Sequence, residues 1–314
     1  MPLLAFFGRF ATLALPAGLL IGLLVPGLAA SARPLLTPTV FALLLVALLR
    51  LDLGRIAAHL RQPGRLLLGV LWMQFATVLP MAGLLALWPA LKPLELPLLV
   101  YAASPPILSA VAYAVLLRLD AALALVLLLL CTFLSPLVLP PLLFALMGLE
   151  IALGVGEVML RLALLIGGAV LGALLVRRLA GLARIEGWAQ EINGAVVVIM
   201  TVFAIAVMDG VADRLLAEPA LVLGISALVF AVNLALQALG GLAFLVWPPR
   251  SAATAMLMSG NRNMGLLMAA LGEAADGTLF LYFALAQLPI YILPGLMRPL
   301  YERLIAARGV PAAE

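Results

Sequence analysis

A chain of 314 residues that is 66% hydrophobic and 10% charged, with a mean hydropathy of +1.27, does not read as a soluble domain, in which about a quarter of residues are charged. Its net charge of +4 comes from arginines dispersed among short loops rather than gathered in a basic patch with aromatics, so the expected partner is the lipid bilayer and not nucleic acid. One cysteine, Cys131, and one histidine, His59, exclude a disulfide framework and a Cys/His metal site contained within the chain.

Near the amino terminus, Arg9, an apolar stretch and the small-residue run Ala29-Ala30-Ser31-Ala32 resemble a secretory leader with its cleavage site. The stretch from Phe10 to Ala30 is longer than the ~7 to 15 residues of a signal core, so a first membrane helix is expected instead. Ten apolar segments can be drawn, near residues 10–30, 35–50, 65–88, 95–117, 121–148, 155–178, 192–210, 220–246, 251–273 and 279–300. Most approach the ~20 residues a spanning helix needs. Arg50, Arg55, Arg61 and Arg65 follow the second segment, and Arg177, Arg178 and Arg184 the sixth, which places both loops in the cytoplasm. With the amino terminus inside, Arg9, Arg118, Arg250, Arg298, Arg303 and Arg308 share that side, and Arg33, Lys92, Arg161 and Arg214 lie outside. The expectation is an integral protein of a bacterial inner membrane with both termini cytoplasmic.

Ten spans divide into five plus five, residues 1–150 and 151–314, and an odd number per half sets the halves in opposite orientation, the inverted-repeat plan of many secondary transporters. The fourth segment is interrupted by Ser104-Pro105-Pro106 and the ninth by Ser259-Gly260-Asn261-Arg262-Asn263-Met264-Gly265-Leu266. Matched interruptions of this kind point to a binding site near the midplane. Arg262 stands twelve residues after Arg250, or ~18 Å along a helix. A guanidinium at such depth costs at least ~2.5 to 3.5 kcal/mol and is expected to face the protein interior with a partner. Gly260 and Gly265 favour a break that frees backbone groups. Gln74, midway along the third segment, is a candidate ligand, as is Ser109. Asn233 and Gln237 lie one turn apart in the eighth segment, where they can line a cavity or clamp two helices. Met256, Met258, Met264 and Met268 read as core filling.

Gln74-Phe75 followed by Pro80, the broken fourth segment followed by Arg118-Leu119-Asp120 and Leu134-Ser135-Pro136, and Gly260-Asn261-Arg262-Asn263-Met264-Gly265-Leu266 together resemble the bile acid:sodium symporter family. The resemblance covers essentially the whole chain. It implies an all-α polytopic membrane protein of ten helices in inverted five-helix repeats, with a panel domain (helices 1, 2, 6 and 7) and a core domain (helices 3–5 and 8–10). Broken helices 4 and 9 would cross beside the sites for sodium and an organic anion. The departures are as informative. Where sodium-coupled members carry a glutamate and, four residues on, a glutamine before asparagine, this chain has Met258, Arg262 and Asn263, and the family's Ser-Asn of helix 4 aligns with Ala110 and Val111. Two unit charges ~4 Å apart repel by about 4 kcal/mol at an effective dielectric of 20, so sodium is not expected to bind beside Arg262.

The expected function is secondary transport of a small organic anion by alternating access, with sodium coupling weakened or lost and no cofactor. Arg262 would substitute for the ion, bonded to Gln74 and to freed carbonyls, with Asn261 and Asn263 holding it and Pro105, Pro106, Ser109 and Asn233 completing the site. It would also favour an anion through paired donors. The alternative is a transporter-like receptor or regulatory protein that binds a ligand without moving it. An enzyme is not expected, since no nucleophile and base or metal set falls within the membrane segments.

Overall fold

The structure, a computed structural model, describes residues 11–49, 62–147 and 153–307. Arg9, Arg50, Arg55, Arg61 and Arg308, which enter the topology reading, and His59 lie outside these residues. Among the described residues the regular structure is helical, apart from one isolated backbone bridge between Pro106 and Arg262.

In chain order the α-helices are α1 (Ala11–Leu24), α2 (Pro26–Ala32), α3 (Leu36–Leu49), α4 (Pro63–Leu71), α5 (Val78–Leu87), α6 (Glu95–Ala103), α7 (Leu108–Leu116), α8 (Ala121–Met147), α9 (Val155–Ala180), α10 (Leu182–Gly187), α11 (Ala189–Ala206), α12 (Val211–Ala217), α13 (Pro219–Ala243), α14 (Pro249–Gly260), α15 (Gly265–Leu271), α16 (Gly277–Leu296) and α17 (Arg298–Ala306). Among the described residues seven helical runs are long and apolar enough to cross a membrane: 26–49, 63–87, 121–146, 155–180, 189–217, 219–243 and 277–296. The protein is an all-α membrane protein.

Two irregularities depart from the segment boundaries expected of the sequence. The first helix ends at Leu24, and a new one starts with Pro26 at its first position, where a missing N–H costs nothing. That helix then runs through a 3-10 turn at Arg33–Leu35 into α3, so Arg33 sits within a helical run rather than in a loop between segments. The third segment contains a π-helical turn, Trp72–Ala76, between α4 and α5.

Contacts divide the chain into two compact units, one of Met1–Leu51, Leu160–Ile225 and Gly265–Ala284, the other of Asp52–Met159, Ser226–Met264 and Leu285–Glu314. Each draws on both halves of the chain. In the first unit α1 packs on α11 where small residues let the backbones approach. A Cβ on Gly22 would fall 2.6 Å from Ile205 O and 2.9 Å from Met208 Cβ. In the second unit the core gathers Leu66, Met73, Leu127, Phe244, Trp247 and Leu257, with Met256 and Met258 as filling.

Gly22→Val should therefore lower stability by ~1–3 kcal/mol through overpacking. Gly83→Ala, where an added Cβ meets nothing within 4 Å, should not. Melting curves of the purified variants in detergent test the pair, and equal melting temperatures would contradict the packing.

Candidate functional site

Both interruptions are real breaks of helix, and the sequence dictates them. Pro105 and Pro106 have no N–H to continue α6, and the residue before a proline is pushed out of the helical region. Ser104 accordingly turns extended, with ψ of 147°. The carbonyl four residues before Pro106, that of Ala102, instead lies 2.8 Å from the Thr77 hydroxyl. In α14 the helix stops at Gly260, and Asn261 takes φ −95° and ψ 95°.

The two extended segments pair with each other in antiparallel fashion. Ile107 N donates to Asn261 O at 3.0 Å and Asn263 N to Pro105 O at 2.7 Å, which leaves Pro106 opposite Arg262 in the widely spaced position. At that position the residue's own N–H is not used in the pairing, so a proline fits.

Arg262 has no exposed surface. Its Nε donates to Ser259 O at 2.7 Å, and its Nη1 donates to Met73 O at 2.7 Å and Ser104 O at 3.1 Å. Three carbonyls from three separate segments thus converge on one guanidinium. Two of them are released by the helix breaks, and the third comes from the π turn. There Thr77 N reaches back five residues to Trp72 O at 3.1 Å, so it does not take Met73 O. Nη2 has no hydrogen-bond partner among the described residues.

Around this centre a buried polar chain fixes Gly260. The Tyr301 hydroxyl donates to Gln237 Oε1, Gln237 Nε2 to Asn233 Oδ1 at 2.6 Å, and Asn233 Nδ2 to Gly260 O at 2.8 Å and to the Tyr101 hydroxyl at 3.0 Å. Tyr101 donates to the same Gly260 O. Only glycine allows this approach of α13, because a Cβ at position 260 would lie 2.4 Å from Gln237 Cγ and 2.6 Å from Asn233 O. One residue earlier, Trp72 Nε1 donates to Ser259 Oγ at 2.8 Å.

Of the residues singled out in the sequence, Arg262, Asn261, Asn263, Pro105 and Pro106 all lie in the paired breaks. Three correspondences differ from expectation. Gln74 is fully buried but shares no hydrogen bond with Arg262; its Nε2 donates to Cys131 O at 2.7 Å, and its Oε1 has no partner among the described residues. It is the carbonyl of the preceding residue, Met73, that reaches the guanidinium. Asn233 has both ends of its amide in protein hydrogen bonds, so of its two expected roles it takes the helix clamp, positioning Gly260, and not that of a ligand. Arg262 has spent its Nε and Nη1 donors on carbonyls, so a paired grip on an anion is not available in this arrangement.

Asn261 donates from Nδ2 to Leu257 O at 2.7 Å and keeps an unpartnered Oδ1. Ser109, in the first turn of α7, has a buried Oγ without a partner. The groups that sequence reasoning passed over are the carbonyls of Met73, Ser104 and Ser259 and the side chains of Tyr101, Thr77 and Tyr301. A polar side chain inside an apolar helix is a visible signal for Thr77 and Tyr101; nothing in composition marks a π turn.

Neither models of known protein families nor curated proteins match this chain.

Removing the guanidinium takes a donor from three buried carbonyls, at up to roughly 1–3 kcal/mol each, and leaves Met73 O with only the Thr77 hydroxyl at 3.2 Å. Arg262→Met is expected to melt far below the parent protein, with Arg262→Lys in between because an ammonium cannot span all three acceptors. Thermal melts of purified protein give the order; Met at parity with Arg would mean the carbonyls do not depend on Arg262.

Proposed function

We propose that the protein is a secondary transporter of a small organic anion that works by alternating access without sodium, similar to the bile acid:sodium symporter family but with a built-in cation in place of the ion. On this reading the chain spans the membrane ten times, as two five-helix halves of opposite orientation, in a bacterial inner membrane with both termini cytoplasmic. The breaks at Ser104–Ile107 and Asn261–Met264, each with a short helix on either side, are the kind of matched discontinuity such a plan requires.

The observation that carries the proposal is the convergence of Met73 O, Ser104 O and Ser259 O on Arg262. Carbonyl oxygens aimed at one point are the ligands a hard monovalent cation would need to replace its hydration shell. Here they are occupied by a charge that the chain itself supplies and cannot release. Among the described residues none of its hydrogen bonds goes to a carboxylate, so its positive charge is met there by dipoles and opposes any second cation nearby.

Sodium and potassium chloride at equal ionic strength should therefore give the same melting temperature for the parent protein, since only a bound ion adds RT ln(1 + [L]/Kd) to its stability. The double variant Met258→Glu with Arg262→Gln should gain a shift specific to sodium. A sodium shift in the parent would overturn the reading. Uptake of labelled organic anions into proteoliposomes without a sodium gradient separates a carrier from a receptor that only binds.

A further inference from the structure

Within the first unit lies a cavity of about 460 Å³, which is the size of small-molecule pockets in general. Its inner lining is apolar and buried. Val40 comes from α3, Phe203 from α11, Met268 from α15 and Phe283 from α16. Phe283 makes edge contacts with Phe203 at 6.1 Å and with Phe280 at 6.0 Å between ring centroids. The charged residues of the lining are two, Arg33 and Glu273, and both are exposed. The cavity thus joins a ring-lined interior to a mouth bearing one charge of each sign.

Arg33 is held in a way that leaves it able to receive a ligand. Its guanidinium lies 4.1 Å over the Phe280 ring and donates from Nη1 to Asp209 Oδ2 at 2.8 Å. With Nη1 so used, the Nε and Nη2 edge is the face on which a carboxylate can sit with two parallel bonds. The arginine side chain is 42% exposed, so it is not sealed inside the unit.

The charges at the mouth decide the class of ligand. A simple organic anion meets a guanidinium already paired with Asp209, and the carboxylate of Glu273 lines the same cavity. A simple amine finds Glu273 but also the cation of Arg33 seated over Phe280. A molecule with both groups satisfies both residues. We propose that this cavity binds a zwitterionic solute with an aromatic or similarly bulky apolar body: its carboxylate sits on Arg33, its ammonium on Glu273, and its body among Phe203, Phe280 and Phe283. As a substrate site it rests on the transporter reading and changes the substrate there from a simple organic anion to an organic acid whose charge is balanced by its own ammonium group; as a binding site it stands without that reading.

Three matched probes test it on the full-length protein by thermal shift and titration calorimetry at neutral pH: phenylalanine, 3-phenylpropionate, which lacks the ammonium, and 2-phenylethylamine, which lacks the carboxylate. Phenylalanine should bind at concentrations at least about tenfold lower than either. Glu273→Gln should bring phenylpropionate level with phenylalanine, and Arg33→Gln should do the same for phenylethylamine. Phenylpropionate binding as well as phenylalanine to the parent protein, phenylethylamine doing so, or no binding by any of the three would overturn the proposal. Proteoliposome uptake separates the two readings. Binding of phenylalanine with uptake neither of it nor of labelled organic anions leaves the site and removes the carrier. Uptake of organic anions by a protein that binds none of the probes leaves the carrier and removes the site.

Discussion

The second unit depends on one exchange between a charge and broken backbone. Two helices interrupted inside an apolar environment leave carbonyls without donors, and a guanidinium placed in the same environment lacks water. Either alone is unfavourable by several kcal/mol. Together they cancel, because the planar fork of Arg262 reaches Met73 O, Ser104 O and Ser259 O at once. The breaks therefore need the arginine as much as the arginine needs the breaks. A lysine at the same position brings the charge without the geometry.

That exchange works only if the acceptors are held in place, and the neighbouring side chains do this. Gly260 is fixed through its carbonyl by Asn233 and Tyr101, Asn233 is fixed by Gln237, and Gln237 by Tyr301. Ser259 is fixed by Trp72 on one side, while its hydroxyl donates to Ala255 O at 2.7 Å on the other. The turn that follows α7 is tied to α14 as well: Ser251 donates to Asp120 Oδ2 at 2.9 Å, and Asp120 N donates to Thr254 Oγ1 at 2.9 Å. Both ends of α14 are thus anchored by side-chain hydrogen bonds within the unit, which sets where Arg262 emerges.

The helix breaks were legible in the sequence because proline and glycine act through the local backbone. Pro105 and Pro106 remove donors wherever they stand, and a charged octet in an apolar run has few stable places except the interior. Gln74 shows the limit of such reading. It is the conspicuous polar side chain of its segment, yet its amide turns to Cys131 O, and the useful atom is the main-chain carbonyl one residue earlier. Every residue has a carbonyl, so sequence cannot mark which one a π turn exposes. Arg33 shows a second limit. Read as a loop charge, it lies inside a helical run, because Pro26 restarts the helix earlier than the apolar count suggests.

The two arginines also separate two ways of stabilising the same group. Arg33 has a counter-ion, Asp209, and its charge is largely compensated and screened by solvent. The hydrogen bonds of Arg262 among the described residues all go to carbonyl dipoles, so its buried positive charge has no carboxylate bonded to it. At ~8 Å that charge still acts on a second monovalent cation with about 2 kcal/mol at an effective dielectric of 20. Gln74 Oε1 and Asn261 Oδ1 keep unpartnered oxygens that suit a cation. On the proposed reading, then, it is the fixed charge more than any shortage of oxygen ligands that removes sodium from the cycle. Changes that restore ligands while leaving Arg262 in place would not bring it back.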